Sequence, residues 1–152
     1  CLFTVYGPRN RPDMMAFRLA RSVMHGDVVE LFNGGVGVQR DWTFVDDIVD
    51  GFVRAAERPL GYEIINLGRG EPVELRSLVS CLESVSGRQA CVQPTAIPPA
   101  DMRTTHADIS KARLLLGYEP GVGLREGIER LWNWYTAQSR HPDLAAVGQR
   151  AA

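Results

Sequence analysis

Four arginines occupy stiff or strand-flanking segments: Arg9 and Arg11 in Pro8-Arg9-Asn10-Arg11-Pro12, Arg40 at Arg40-Asp41-Trp42, and Arg103 two residues after Asp101. A guanidinium presents a planar fork of donors that matches two oxygens of a phosphate or carboxylate. Held on loops and strand ends, such groups point to recognition of an anion, against the plainer reading of solvated surface charge. Asp46-Asp47 is a carboxylate pair, but adjacent acids that open a helix serve more commonly as cap and dipole partners, and that role is expected here. Gly68-Arg69-Gly70 follows a β-prone run and precedes a helical one, the context of a dinucleotide fingerprint; Val73 stands where the third glycine is needed, so a plain strand-to-helix turn is expected. His25, His106 and His141 form neither a His-Glu-x-x-His pair nor a nucleophilic triad and are read as surface residues.

The charge balance narrows the partners. Seventeen basic and eighteen acidic residues leave a formal net charge of −1, so there is no general basic field for nucleic acid or an anionic membrane, and any anion must be gripped locally. No apolar run approaches the roughly 20 residues that span a bilayer. Cys1, Cys81 and Cys91 fit neither a disulfide framework nor a zinc site. Cys81 and Cys91 are expected to be small buried hydrophobes, and the compartment a reducing cytoplasm. Cys1 runs straight into Leu2-Phe3-Thr4-Val5-Tyr6 without a polar lead, which reads as an interruption within a larger protein.

The elements that must hold the arginines follow from periodicity. Leu2 to Tyr6 predict a strand stopped by Gly7-Pro8, and Asp13 a cap for a helix whose apolar positions run from Met14 to Met24 and end at Gly26. Val28 to Phe32 predict a second strand, Asn33-Gly34-Gly35 a hairpin or tight loop, and Val38 to Phe44 a third strand. The next helix carries a stripe of Ile48, Val49, Phe52, Val53 and Ala56. Tyr62 to Leu67 read as a strand, Leu75 to Val85 as a helix ended by Ser86-Gly87, and Ala90 to Thr95 as a strand. Asp108 caps a short helix to Leu116, and a last helix shows Leu124, Ile128, Leu131, Trp132 and Tyr135 on one face. Residues 140–152 read as a flexible tail. The class is α/β, with strands too few for a free-standing doubly wound sheet, so a partial or accessory lobe is expected.

These segments resemble a known family. Phe3-Thr4-Val5-Tyr6-Gly7-Pro8-Arg9-Asn10-Arg11-Pro12-Asp13-Met14 is similar to the stretch after the catalytic tyrosine and lysine of extended short-chain dehydrogenases, particularly the UDP-glucuronate 4-epimerase group. Arg40-Asp41-Trp42-Thr43-Phe44-Val45-Asp46-Asp47-Ile48 resembles that family's Arg-Asp-Phe-Thr-Tyr-Val-Asp-Asp-Ile. Ile65-Asn66-Leu67-Gly68, Asp101 to Arg103, Ala107 to Ala112 and Leu116 to Pro120 follow in the family's order. Trp42 stands where phenylalanine or tyrosine is usual, and Pro98-Pro99-Ala100 lacks the glycine common before the aspartate.

The resemblance implies the carboxyl-terminal portion of a Rossmann-type fold: the last sheet strands plus a small mixed α/β substrate-binding lobe over residues 1–139, with the amino-terminal NAD-binding domain absent. It implies C4 oxidation and reduction of a UDP-sugar with NAD, by an enzyme that is a homodimer. Thr4 and Arg11, with Met14 beside them, would meet the sugar's C6 group, which as a carboxylate would make the substrate a uronic acid; Phe32 would pack by the uracil, and Arg40 would pair with the diphosphate. Asp101 would hold ribose hydroxyls or orient Arg103, which would supply a second phosphate contact, and Tyr6 would lie near the nicotinamide. The Tyr-x-x-x-Lys pair is missing, since no tyrosine here has a lysine four residues on. The fragment alone should therefore bind weakly or not at all. A 4,6-dehydratase or decarboxylase of the same superfamily, or a non-catalytic binding module, stands as the alternative.

Overall fold

The computed structural model describes residues 1–139, so the expected tail lies outside the described residues. Strand β1 (Thr4–Tyr6) pairs in parallel with β3 (Gln39–Phe44), which pairs antiparallel with β4 (Pro72–Glu74). A second sheet joins β2 (Val29–Phe32) in parallel to β5 (Val92–Thr95). The helices are α1 (Met15–His25), α2 (Val45–Ala56), α3 (Leu75–Ser86), α4 (Ser110–Leu116) and α5 (Leu124–Ser139). Parallel partners need a crossover rather than a tight turn. Asn33–Gly35 is accordingly a 3₁₀ turn leading out of β2 and not a hairpin, because β2 finds its partner some sixty residues later.

The β1–β3 ladder divides two apolar clusters. Alternation along the strands sends Tyr6, Trp42 and Phe44 into the larger one, with Leu19 and Val23 of α1, Leu78, Val79 and Leu82 of α3, and Ile128 and Leu131 of α5. Phe3 and Val5 turn to the smaller cluster, formed by Ile48 of α2, Leu67, Ala107, Ile109, and Ala112 and Leu116 of α4. Helices α1, α3 and α4 each stop where a glycine takes the left-handed conformation, at Gly26, Gly87 and Gly117.

Several sequence expectations are corrected. Asp13 does not cap α1; Met14 holds that position without a side-chain cap, because the Asp13 carboxylate is taken by Arg11. Residues 62–67 form no regular strand: one bridge, Leu67 to Leu2, is all the ladder that closes. The stripe on α2 divides, for Ile48 is buried while Val49, Phe52 and Val53 face outward. Cys91 is exposed ahead of β5, and Cys81 is half-buried. Strand β4 went unread in the sequence because three residues carry too little periodicity.

Candidate anion-binding site

Arg40 is the second residue of β3, across from Val73 of β4. Its Nη1 donates to the carbonyls of Gln39 (2.8 Å) and Arg103 (3.3 Å), and its Nη2 meets Asp101 Oδ2 at 3.2 Å. The segment after Asp101 is strapped to β3 by backbone bonds: Gln39 N–H donates to Arg103 O at 2.7 Å and Thr105 N–H to Gln39 O at 3.2 Å. Arg40, Asp101 and the backbone of Arg103 are thus brought together. The Arg40 side chain is only 19% exposed and held in one orientation, whereas the Arg103 residue is exposed and, among the described residues, its guanidinium has no ion-pair partner. Arg40 is thus pinned with its charge met by Asp101, and Arg103 is joined to it through a backbone carbonyl.

Arg11 lies elsewhere in the pattern of contacts. It holds Asp13 side-on, Nε to Oδ1 at 3.1 Å and Nη2 to Oδ2 at 2.7 Å, and Nη2 reaches the sulfur of Met14 at 3.9 Å. The pair raises the Arg11 pKa and lowers that of Asp13, chiefly through their hydrogen bonds. Both side chains are mostly exposed, so the pair adds little stability. The structure therefore joins Arg11 to Met14 and joins Arg40 to Asp101 and Arg103, with no direct contact between the two groups among the described residues.

Thr4 sits opposite Trp42 in the β1–β3 register, and alternation puts Thr4, Arg40 and Trp42 on one face of the sheet. Phe32 ends β2 opposite Thr95, half-buried against the larger cluster. The turn after it is set by positive φ at Asn33 and Gly34, and Gly35 packs so closely on α3 that a Cβ would stand 2.9 Å from the Arg76 nitrogen. Tyr6 is core: it is 1% exposed, its hydroxyl faces Leu124 O at 3.4 Å, and burial drives its pKa upward. Closeness to a cofactor would have to come through its backbone, because the phenol is directed into α5.

Two buried carboxylates, Asp41 and Asp47, hold distant backbone together. Asp41, fully buried, accepts from Thr43 Oγ1 and Arg69 N on one oxygen and from Gly70 N and Ala107 N on the other. Asp47, expected to cap α2, makes no cap; it accepts from Gly121 N (2.9 Å) and Val122 N (3.2 Å) and ties the α4–α5 connection to α2. Between Arg40 and Trp42 nothing local marks Asp41 as buried; only Thr43, two residues on, is a donor that the strand itself supplies, and the other three are backbone amides from distant segments. Gly68-Arg69-Gly70 leads into β4 rather than directly into a helix, and the amides of Arg69 and Gly70 are spent on Asp41, so this turn does not suit the pyrophosphate of a dinucleotide.

Residues 1–68 match the family described as the NAD dependent epimerase/dehydratase family. The chain is 42% identical over 133 residues to the UDP-glucuronate 4-epimerase of Thermodesulfobacterium geofontis, covering 87% of this chain and 41% of that protein. Its fold superposes with a TM-score of 0.86 on MoeE5 in complex with UDP-glucuronic acid and NAD, at 35% identity over 90% of this chain and 46% of the other. The UDP-glucuronic acid 4-epimerase of Bacillus cereus, in complex with UDP-glucuronic acid and NAD, gives a TM-score of 0.83 at 37% identity, covering 90% of this chain and 44% of that one. The chain is thus similar to members of the NAD dependent epimerase/dehydratase family. It spans less than half the length of each of these family members, and its mixed α/β fold is that of the carboxyl-terminal part of the extended short-chain dehydrogenase epimerases. In the solved family members just named NAD is the cofactor.

Proposed function

We propose that this chain is the nucleotide-sugar-binding part of an NAD-dependent epimerase of the UDP-glucuronate 4-epimerase type, acting at C4 of a UDP-uronic acid. The observation that carries the reading is the Arg40–Asp101–Arg103 assembly. Arg40 and Arg103 receive the diphosphate, and Asp101 holds Arg40 in place while its remaining lone pairs accept from ribose hydroxyls. Phe32 offers its ring to the uracil at the end of β2, where the Asn33-Gly34 turn lets backbone approach the base.

Arg11 and Thr4 recognise the sugar carboxylate, with Met14 beside them. The side-on grip of Arg11 on Asp13 is the geometry in which a guanidinium takes a carboxylate, and a uronic acid would compete with Asp13 for it. These residues bind and orient, and Tyr6 adds closeness alone; the hydride step belongs to NAD and to residues outside this chain. The whole protein is a homodimer in the cytoplasm on this reading, and the chain alone binds weakly and does not turn over, because a cleft between two lobes is incomplete with one.

Titration of the isotopically labelled chain with millimolar UDP-glucuronic acid, followed by amide NMR, tests the assignment. Shifts gathered at Phe32–Gly34, Arg40 and 101–103 are expected. Shifts scattered over α1 and α3 instead would remove this lobe as the nucleotide site.

A further inference from the structure

We propose that Asp41 is the positioning residue of the anion site: its buried carboxylate fixes where the 101–107 segment, and with it Arg103, lies against Arg40. The functional half of this inference rests on the proposed diphosphate role of Arg40 and Arg103. The structural half stands on the contacts alone.

A carboxylate has about four lone-pair directions, and here each is used. Oδ1 accepts from Thr43 Oγ1 at 3.2 Å and Arg69 N at 2.8 Å; Oδ2 accepts from Gly70 N at 2.9 Å and Ala107 N at 3.0 Å. The donors come from three places in the chain: β3 itself, the turn before β4, and the segment that follows Arg103. One buried acceptor thus gathers three strands of backbone, in surroundings dry enough that each bond is electrostatically strong and each lost bond is costly.

Its neighbour in sequence points the other way. Arg40 and Asp41 are adjacent in β3, so their side chains leave opposite faces. On one face Arg40 holds Asp101 and the Arg103 carbonyl; on the other Asp41 holds Ala107. Residues 101 to 107 are therefore clasped at both ends by consecutive residues of one strand, with Thr105 N–H on Gln39 O between them. The clasp also needs Gly68, where a Cβ would run into Ala107 and stand 3.2 Å from Asp41 Oδ2. Preorganised charges bind an anion more tightly than mobile ones, because the ordering cost is met by the fold.

Asp41→Asn keeps size and removes half of the acceptor capacity: its amide N–H₂ faces either the Gly70 and Ala107 N–H pair or, turned over, the Arg69 N–H beside the Thr43 hydroxyl, so at least one backbone bond of the clasp is lost. Hydrogen exchange of the full 152-residue chain is the first readout. At least tenfold faster exchange at 68–70, at 104–107 or at both, with α1 and α3 at wild-type rates, is expected. Unchanged rates in those segments, or one common acceleration across the whole chain, would overturn the positioning role. Thr43→Val removes a single donor and leaves the backbone contacts, so it should reproduce the same pattern more weakly, and it decides the matter if Asp41→Asn does not fold. The second readout is binding of UDP against uridine. A UDP dissociation constant at least tenfold higher in Asp41→Asn, with uridine within twofold, is expected; equal losses for both ligands count against the proposal. Both ligands are titrated into the complete protein, where the cleft has its two lobes; a wild-type protein that binds no UDP removes the functional reading while the exchange experiment still decides the clasp.

Discussion

The phenol of Tyr6 closes directly on the backbone of Gly127, leaving no room for a side chain there. Gly127 lies inside α5, where glycine costs about 1 kcal/mol relative to alanine, so its presence needs a reason, and the ring at the end of β1 supplies one. Gly127→Ala should therefore destabilise the fold by roughly 1–3 kcal/mol despite the better helix propensity. Gly123→Ala, with nothing within 4 Å of the added carbon, should be close to neutral. Urea midpoints of the two variants check this, and equal midpoints would contradict the packing argument.

The same burial makes a pH prediction. Desolvation raises the pKa of Tyr6, Tyr118 and Tyr135 in the fold, so the folded state holds its phenolic protons more tightly than the unfolded one. The stabilisation is present in full below the unfolded tyrosine value of about 10 and is lost as pH rises through the folded values. Tyrosinate absorbance from these residues should appear together with loss of the far-ultraviolet circular dichroism signal. Ionisation of all three well before any unfolding would show that they are not desolvated.

How much of this was readable beforehand depends on the length scale of the contact. Helices α1, α3 and α5 announce themselves through repeated apolar positions and glycine stops, because a helix buries a face over many residues. Strand β4 and the failed strand at 62–67 are decided by whether a distant segment lies alongside, which local pattern does not contain. The grouping of Arg40 with Arg103 was foreseeable in kind from residue type, yet their meeting depends on Gln39 pairing with Thr104. Asp41 and Asp47 were misjudged or missed because their partners are backbone amides from other elements, and an amide leaves no trace in residue type. Outward-facing Val49, Phe52 and Val53 obeyed the helical period and broke only the assumption that an apolar stripe is covered within the same chain.

Arg40→Lys offers a sharper test of the site than deletion of charge. Lysine keeps the positive charge but cannot serve Asp101 and two carbonyls from one rigid plane. If geometry governs, UDP binding should weaken by an amount typical of charge-assisted hydrogen bonds, about 1.5–3 kcal/mol, which is roughly ten- to a hundredfold. Calorimetric or NMR titration reads the change. Wild-type affinity in Arg40→Lys would mean that net charge alone suffices.

Arg11 is to be tested against two sugars in the complete protein. The Arg11→Ala variant loses the fork now occupied by Asp13, so it should weaken a UDP-uronic acid more than the corresponding uncharged UDP-hexose, by tenfold or more for a charge-assisted pair. Equal losses on both would place Arg11 outside the recognition of the sugar's C6 group.

The exposed apolar residues have their own consequence. Val49, Phe52 and Val53 share the outer face of α2, and Leu114 is exposed on α4, which packs against α2. Leu2 and Ile64 are exposed beside the same smaller cluster, flanking the bridge at Leu67. Exposed apolar side chains gathered on one helix face, as on α2, favour self-association. Sedimentation velocity should show concentration-dependent oligomers of the 152-residue chain, and Phe52→Glu, which puts a charge on a side chain 54% exposed, should shift the distribution toward monomer without lowering the unfolding midpoint. A wild-type chain that stays monomeric at high concentration would show that these side chains do not form an associating patch.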